Sequence, residues 1–350
     1  MADLLIYGAN GYTGQLIVQR ALFRGLKPII AGRNEAEIKK LAQQYQLEYR
    51  IFGLSESEAI CRGLQGVKVV IHAAGPFMYT AQPMLEACLK TKTHYLDITG
   101  EIEVFERCAG YDAPAKEAGI MVMPGTGFDV VPSDCLAAHL KRRLPDAHLL
   151  QLAFASLGGG FSRGTAKTMV ENLGRGGAIR KDGKIIPVPN AFKTMTIDYG
   201  DFKMQSVCIP WGDVSTAWRS TGIANIEVYM GANTRMIRAM KAANWLGWLL
   251  KTRMVKNFLK NRIDAGPPGP SEAKRKKAQS HLWGRVTNLA GQSCTSLLIT
   301  PEGYTLTALT SVHIAEKTLS GNFKTGYQTP SLAYGPDLIL ETEGCIRKDL

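Results

Sequence analysis

Residues 8 to 14 read Gly8-Ala9-Asn10-Gly11-Tyr12-Thr13-Gly14, directly after the apolar run Leu4-Leu5-Ile6-Tyr7. That order is a strand, a glycine turn and a helix. Such a turn presents backbone N–H groups at a helix N-terminus, where a pyrophosphate is held. The spacing is GxxGxxG rather than GxGxxG, so the turn is one residue longer. Nineteen residues after Gly14 a second run, Pro28-Ile29-Ile30-Ala31-Gly32, ends in Arg33. An acid there would hold a ribose 2′-hydroxyl, whereas an arginine suits a 2′-phosphate. The expected cofactor is therefore NADP(H), with Gly8, Asn10, Gly11, Tyr12, Thr13, Gly14, Arg33 and Asn34 as contacts.

Strand and helix periods alternate as far as residue 123. Asn34 and Glu37 form a capping-box-like pair that opens a helix to about Tyr45. Val67 to His72 is almost continuously apolar, as a buried parallel strand is. Helices over Pro83 to Lys90 and Glu101 to Ala118 flank a fifth strand, His94 to Ile98, and lead to a sixth, Ile120 to Met123. Six strands with helical crossovers predict an N-terminal doubly wound (Rossmann) parallel sheet over 1–130. The rest changes texture. Alternating runs at Leu149 to Ser156, Lys184 to Val188, Phe202 to Ile209, Ile223 to Met230 and Gly284 to Thr300 predict a mixed α+β domain over 131–325. Helical stretches at Gly164 to Leu173, Arg235 to Asn261 and Tyr304 to Leu319 interrupt them. Residues 326–350 are expected to pack back toward the first domain. The fold class is α/β with this second domain attached.

Seven scattered cysteines without a CxxC pair predict no disulfide framework and no zinc site, and a reducing cytoplasm. The six histidines lack ligand spacing, so no metal is expected. Met1-Ala2-Asp3 runs straight into a strand with no basic n-region, so no signal peptide is expected, and no apolar stretch approaches about 20 residues. The net charge of +12 is local: thirteen Lys or Arg against Asp264 and Glu272 lie within residues 235 to 285. No nucleic-acid motif accompanies them. Two tryptophans, Trp245 and Trp248, interleave with these cations, which suits a membrane interface or an acyl-carrier partner through 235–262. A solvated helix with its other face in the core is the alternative.

Ligands of open α/β sheets sit at the carboxyl ends of strands. That places Ala74-Gly75-Pro76-Phe77, the segment Asp97 to Glu101, and Gly125-Thr126-Gly127-Phe128-Asp129 around the reacting end of a cofactor. Phe77, Asp97, Glu101 and Phe128 are candidate substrate contacts. Tyr95 and Asp129 are candidate proton donors, with an inward-facing structural role open for Tyr95. Helix capping is an equal alternative for Asp97, Glu101 and Asp129. A second glycine loop, Gly158 to Lys167, enters a helix with Arg163 and Thr165 placed for a substrate anion, or as an ordinary cap.

The chain resembles the saccharopine dehydrogenase-like reductases, and most closely their trans-acting enoyl reductase branch. The matching stretches are Tyr7 to Gly14, Ala31 to Arg33, Ala73 to Phe77, His94 to Glu101, Pro124 to Asp129, Pro132 to Asp134, Gly164-Thr165, Thr300 to Tyr304 with Leu306 to Ala308, Gln328 to Pro330, and Ala333 to Asp337. The resemblance implies that Gly8, Gly11, Gly14 and Arg33 hold NADP(H), with Gly75-Pro76 beside it. It implies that the Tyr95 to Glu101 stretch and the Phe128-Asp129 corner line the substrate cleft. Arg163 stands where the family pattern leads one to expect a further glycine. The expected activity is NADPH-dependent reduction of an activated C=C bond in a small or lipid-like substrate. Reduction of an amino-acid imine, or a non-catalytic NADP-binding role at a membrane or lipid, are the alternatives. An exposed edge of the second sheet would allow a homodimer.

Overall fold

The computed structural model describes residues 3–158 and 160–350. Gly159 of the second glycine loop lies outside them. The elements run β1 (Leu4–Tyr7), α1 (Tyr12–Phe23), β2 (Ile29–Gly32), α2 (Glu35–Tyr45), β3 (Tyr49–Ile51), α3 (Ser57–Gly63), β4 (Val69–His72) and α4 (Phe77–Thr91). Next come β5 (His94–Asp97), α5 (Ile102–Ala109), α6 (Asp112–Ala118), β6 (Met121–Met123), α7 (Val131–Arg143), β7 (Leu149–Leu157) and α8 (Arg163–Glu171). Then follow β8 (Gly177–Lys181), β9 (Lys184–Val188), β10 (Thr194–Asp198), β11 (Lys203–Cys208), α9 (Asp213–Thr221), β12 (Asn225–Gly231), α10 (Thr234–Ala243), α11 (Gly247–Leu250) and α12 (Arg253–Asp264). The chain ends with α13 (Glu272–Lys277), β13 (Gln279–Thr287), β14 (Ser293–Pro301), α14 (Gly303–Leu319), β15 (Gly326–Tyr327), α15 (Pro330–Tyr334) and β16 (Ile346–Asp349).

Two compact units result: residues 1–131 with 304–333, and residues 132–303 with 334–350. The first unit holds a parallel sheet in the order β15-β6-β5-β4-β1-β2-β3. Strands β3 to β6 reproduce the doubly wound order, with the reversal between β1 and β4, where such sheets bind ligands. Strands β1, β2 and β4 are buried along their whole length, which is why they read as unbroken apolar runs.

The sheet has seven strands where the sequence predicts six. The extra strand, β15, pairs with β6 through Gly326↔Met121. The helix before it, α14, therefore serves the first unit rather than the second, and 334–350 belongs with the second. Strand β16 pairs with β14 there. The helix expected over Glu101 to Ala118 is two, α5 and α6, parted at Gly110-Tyr111.

The second unit is a nine-stranded mixed sheet, β10-β11-β12-β7-β13-β14-β16 with β8 and β9 alongside. The run Gly284 to Thr300 is not one strand but the inner part of a hairpin, β13–β14. Its loop is closed by Asn288 Oδ1, which accepts from Gln292 N at 2.9 Å. Strands β8 and β9 turn through Asp182 and Gly183, both at positive φ, the geometry of a tight hairpin turn. Helix α7 lies close on the sheet at Gly284, where a Cβ would come within 2.6 Å of Leu140 Cδ1. The stretch Arg235 to Asn261 is three helices, α10, α11 and α12. No helix among the described residues is long and apolar enough to cross a membrane.

Candidate functional site

The glycine turn is fixed by contact with its own backbone. Gly8 has φ +82°, and a Cβ there would meet Ala74 Cβ at 2.8 Å. A Cβ on Gly14 would overlap the carbonyl oxygen of Gly8. Gly11 is the N-cap of α1 and supplies no side-chain cap, and no acid stands in the first turn. The N-terminus of α1 thus has neither a capping side chain at Gly11 nor an acid in its first turn, beside a cradle that only glycine can form. An anionic pyrophosphate fits this arrangement.

The cofactor candidates divide into two groups. Gly8, Gly11 and Gly14 shape the turn, while Tyr12 packs edge-on against Tyr304 at 5.1 Å and Thr13 stands beside it in the first turn of α1. Arg33 is exposed immediately beyond β2. Asn34 and Asn10 have structural work instead. Asn34 Oδ1 caps α2 by accepting from Glu37 N at 3.3 Å. Asn10 donates to Glu37 Oε2 at 2.6 Å, which ties the glycine turn to α2. Ala74 accepts from Thr80 Oγ1 at 2.7 Å, which sets the Ala74-Gly75-Pro76 segment at the end of β4.

Asp97 is fully buried at the end of β5. Its Oδ1 accepts from Thr99 N and Gly125 N, each at 2.9 Å, and its Oδ2 accepts from Tyr95 OH at 2.6 Å. Burial pushes its carboxyl up to about 6 against these three donors. Asp97 is therefore a brace between the ends of β5 and β6, which corrects its expected role as a substrate contact. Tyr95 is corrected likewise. Its ring is fully buried in the core with Met84 and Leu85 of α4, and its hydroxyl is given to Asp97. Phe77 belongs to the same core and packs edge-on against His72 at 5.3 Å.

Glu101 caps α4. Its Oε1 accepts from Phe77 N and its Oε2 from Met78 N, both at 2.9 Å. This is the capping alternative, reached from a different strand end. Asp129 differs from the other acids. It is half-buried and makes no hydrogen bond among the described residues. Its carboxyl packs over Gly100, where a Cβ would lie 3.1 Å from Asp129 Cβ. Burial, then the charge of Glu101, push it up to about 7.

Helix α14 holds the Asp129 loop from behind, and sequence reasoning does not assign it that task. Thr307 Oγ1 accepts from Phe128 N at 3.0 Å, and Thr310 Oγ1 donates to Thr126 O at 2.7 Å. A Cβ on Gly127 would meet Thr307 Cγ2 at 2.7 Å. The Leu306-Thr307-Ala308 stretch was the available signal. His72 was also unassigned; it is fully buried among Tyr7, Phe77 and Tyr95, and burial lowers it to about 3, so it is neutral.

The second glycine loop, in the other unit, is not an open anion site. Ser162 caps α8 by accepting from Thr165 N at 3.1 Å. The Arg163 guanidinium donates through Nε to Gly266 O at 3.0 Å, and Lys167 pairs with Asp264 at 2.6 Å. Arg163 thus anchors a loop, and Thr165 gives its N–H to the Ser162 cap, where the sequence also permits a substrate anion.

Residues 4–123 match the family described as the saccharopine dehydrogenase NADP binding domain. A lipid droplet localized protein of Caenorhabditis elegans is 25% identical over 275 residues, 70% of this chain and 63% of that protein. A trans-acting enoyl reductase of Mycobacterium ulcerans is 27% identical over 165 residues, 44% of this chain and 39% of that one. The chain thus spans less than two thirds of the length of either. Apo saccharopine dehydrogenase (L-Glu forming) from Saccharomyces cerevisiae shares the fold over 100% of both chains, with a TM-score of 0.69 at 13% identity.

Proposed function

We propose, from the match of residues 4–123 to the family described as the saccharopine dehydrogenase NADP binding domain, that the protein is an NADPH-dependent oxidoreductase that reduces an activated C=C bond of a lipid-like substrate. The observation that carries the reading is the Asp129 carboxyl at the carboxyl end of the sheet, pushed up to about 7 and bound to no other group among the described residues. Gly8, Gly11 and Gly14 would hold the pyrophosphate, and Arg33 a 2′-phosphate. NADPH held there would supply the hydride for the β-carbon of the double bond.

The neighbouring carbon then needs one proton. At neutral pH a carboxyl with this environment is still partly protonated, and its proton is held at an oxygen that no other residue takes up. Asp129 passes that proton to the carbon and recovers one from water. Asp97 and Thr126 fix the loop that carries it: Thr126 N donates to Asp97 O at 2.7 Å.

A multiply charged imine substrate would need arginines at its carboxylates. Arg163, the arginine that the sequence offers for this, is engaged by Gly266 O, and that favours the less polar substrate. The names of the lipid droplet and enoyl reductase relatives support the same choice, and the free cysteines accord with a reducing cytoplasm as the compartment. The test is NADPH oxidation, followed by absorbance, with a 2-enoyl thioester and with an amine plus keto-acid mixture. Turnover of the thioester supports the proposal. Turnover of the imine mixture alone overturns it.

A further inference from the structure

An amphipathic helix in a globular unit turns its large apolar side chains inward. The stretch 235–262 does the reverse at its centre. Trp245 is 86% exposed, Trp248 74%, Met254 82% and Phe258 63%. The inward side of α12 is taken by Val255, Leu259 and Ile263, which are half-buried. Met254 and Phe258 stand one helical turn apart on the other side, with Arg262 a turn further on. Leu246 and Leu249 are exposed beside the tryptophans.

The charges around this apolar patch have one sign. Residues 235–262 hold eight Lys or Arg and no Asp or Glu. Lys256 and Lys260 turn inward to Glu171 of α8. The other six, Arg235, Arg238, Lys241, Lys251, Arg253 and Arg262, are exposed and make no ion pair among the described residues. Exposed tryptophans ringed by unpaired cations match the boundary of an anionic lipid surface. At such a surface the indoles would lie at headgroup depth, Met254 and Phe258 would reach the acyl region, and the guanidinium and ammonium groups would meet lipid phosphates. A protein partner would have to supply both an apolar pocket and an acidic rim, whereas a lipid surface supplies both without a matched shape.

We infer that α10, α11 and α12 form a docking surface for anionic lipid, with Trp245, Trp248, Met254 and Phe258 as the inserting side chains and the six unpaired cations as the headgroup contacts. The inference deepens the lipid-like substrate reading, since it names the phase from which such a substrate would be taken. It stands or falls apart from the cofactor site.

The experiment is flotation of the full chain with phosphatidylcholine vesicles, with and without phosphatidylserine, and NADPH binding measured by fluorescence on the same samples. Flotation with the anionic vesicles alone is expected, weakening as salt is raised. Replacing the four inserting residues with alanine removes only exposed side chains and is expected to cut the bound fraction about tenfold, with NADPH binding unchanged. Arg253→Glu with Arg262→Glu is expected to do the same. A wild-type chain that stays in solution with anionic vesicles overturns the inference, and intact NADPH binding in that sample leaves the enzymatic reading standing. Sedimentation showing a dimer that the four alanines dissociate, with no vesicle binding, also overturns it.

Discussion

Burial, and after it the nearby charge of Glu101, push the Asp129 carboxyl above its ordinary value. The Glu101 carboxylate accepts from two backbone amides of α4, Phe77 N and Met78 N, at 2.9 Å each. Its charge adds to burial in pushing the Asp129 carboxyl up to about 7. A helix cap thus doubles as the electrostatic setting of a neighbouring acid, as a like charge nearby disfavours ionisation.

The rate of enoyl reduction is expected to fall as pH rises through about 7, because the proposed donor is the protonated form of Asp129. Asp129→Asn keeps the shape and removes the proton, and should lower kcat by about 10²- to 10⁴-fold with little change in NADPH affinity. Initial rates from pH 5 to 9 on both proteins check this. A wild-type profile flat across that range would remove Asp129 from the mechanism.

Glu101→Gln separates the cap from the charge. The amide oxygen still accepts from one of the two N–H groups, so the loss in stability should be about 1 kcal/mol. Without the anion, the break in the pH–rate profile should move to lower pH. A purely structural Glu101 would lower the melting temperature and leave the break where it was.

Stability should also depend on pH through Asp129. Its carboxyl stands at 3.8 as the ordinary value and at about 7 in the folded chain. Between these values the folded state binds more protons than the unfolded one, so stability falls as pH rises from about 4 to 7 and is level above. Asp97, pushed up to about 6, acts in the same direction over a narrower window. Asp129→Asn should flatten part of this slope and be more stable than wild type at pH 8, by about 1–2 kcal/mol because the group is only half-buried. Urea midpoints at several pH values measure it.

The glycine turn was legible in the sequence because its constraints are local. Gly14 must lack a Cβ because of Gly8 six residues away, and the strand and helix that flank it are contiguous. The doubly wound strand order follows from alternating periods in the same way. The placement of α14 did not follow. Leu306, Ala308, Val312, Ile314 and Ala315 surround it with apolar side chains, so its pattern does not say which sheet it covers. Only the distant pairing of β15 with β6 decides that. Tyr95, Asp97 and Asp129 look alike as polar residues at strand ends, and their roles are separated by burial and by partners such as Gly125 N, which Asp97 meets across 28 residues of chain. The exposure of Trp245 and Trp248 was one of two readings open in the sequence, since period alone gives a stripe and not the side it faces.

Tyr95→Phe tests the brace against catalysis. The substitution leaves Asp97 Oδ2 without its donor in a fully buried place, which should cost about 1–3 kcal/mol. A catalytic tyrosine would lose activity in proportion to the missing proton. A brace should keep most of its turnover per folded molecule at a temperature well below the lowered midpoint, and activity measured beside circular dichroism distinguishes the two.

Arg33 is the residue expected to set the choice between the two nicotinamide cofactors. Gly32 before it is buried and closed in by Asn10 and Ile38, so the backbone leaves β2 in one direction and the exposed guanidinium stands at the strand's carboxyl end. Its charge is felt within this end of the sheet, since it lowers the Tyr7 hydroxyl against the burial that raises it to about 12. A 2′-phosphate there would gain a charge-assisted, two-pronged contact that a 2′-hydroxyl cannot make. Arg33→Ala should therefore weaken NADPH binding about 10- to 100-fold and leave NADH binding within about twofold. Fluorescence titration with both cofactors reads the difference, and equal losses for the two would mean that Arg33 supports the turn rather than the phosphate.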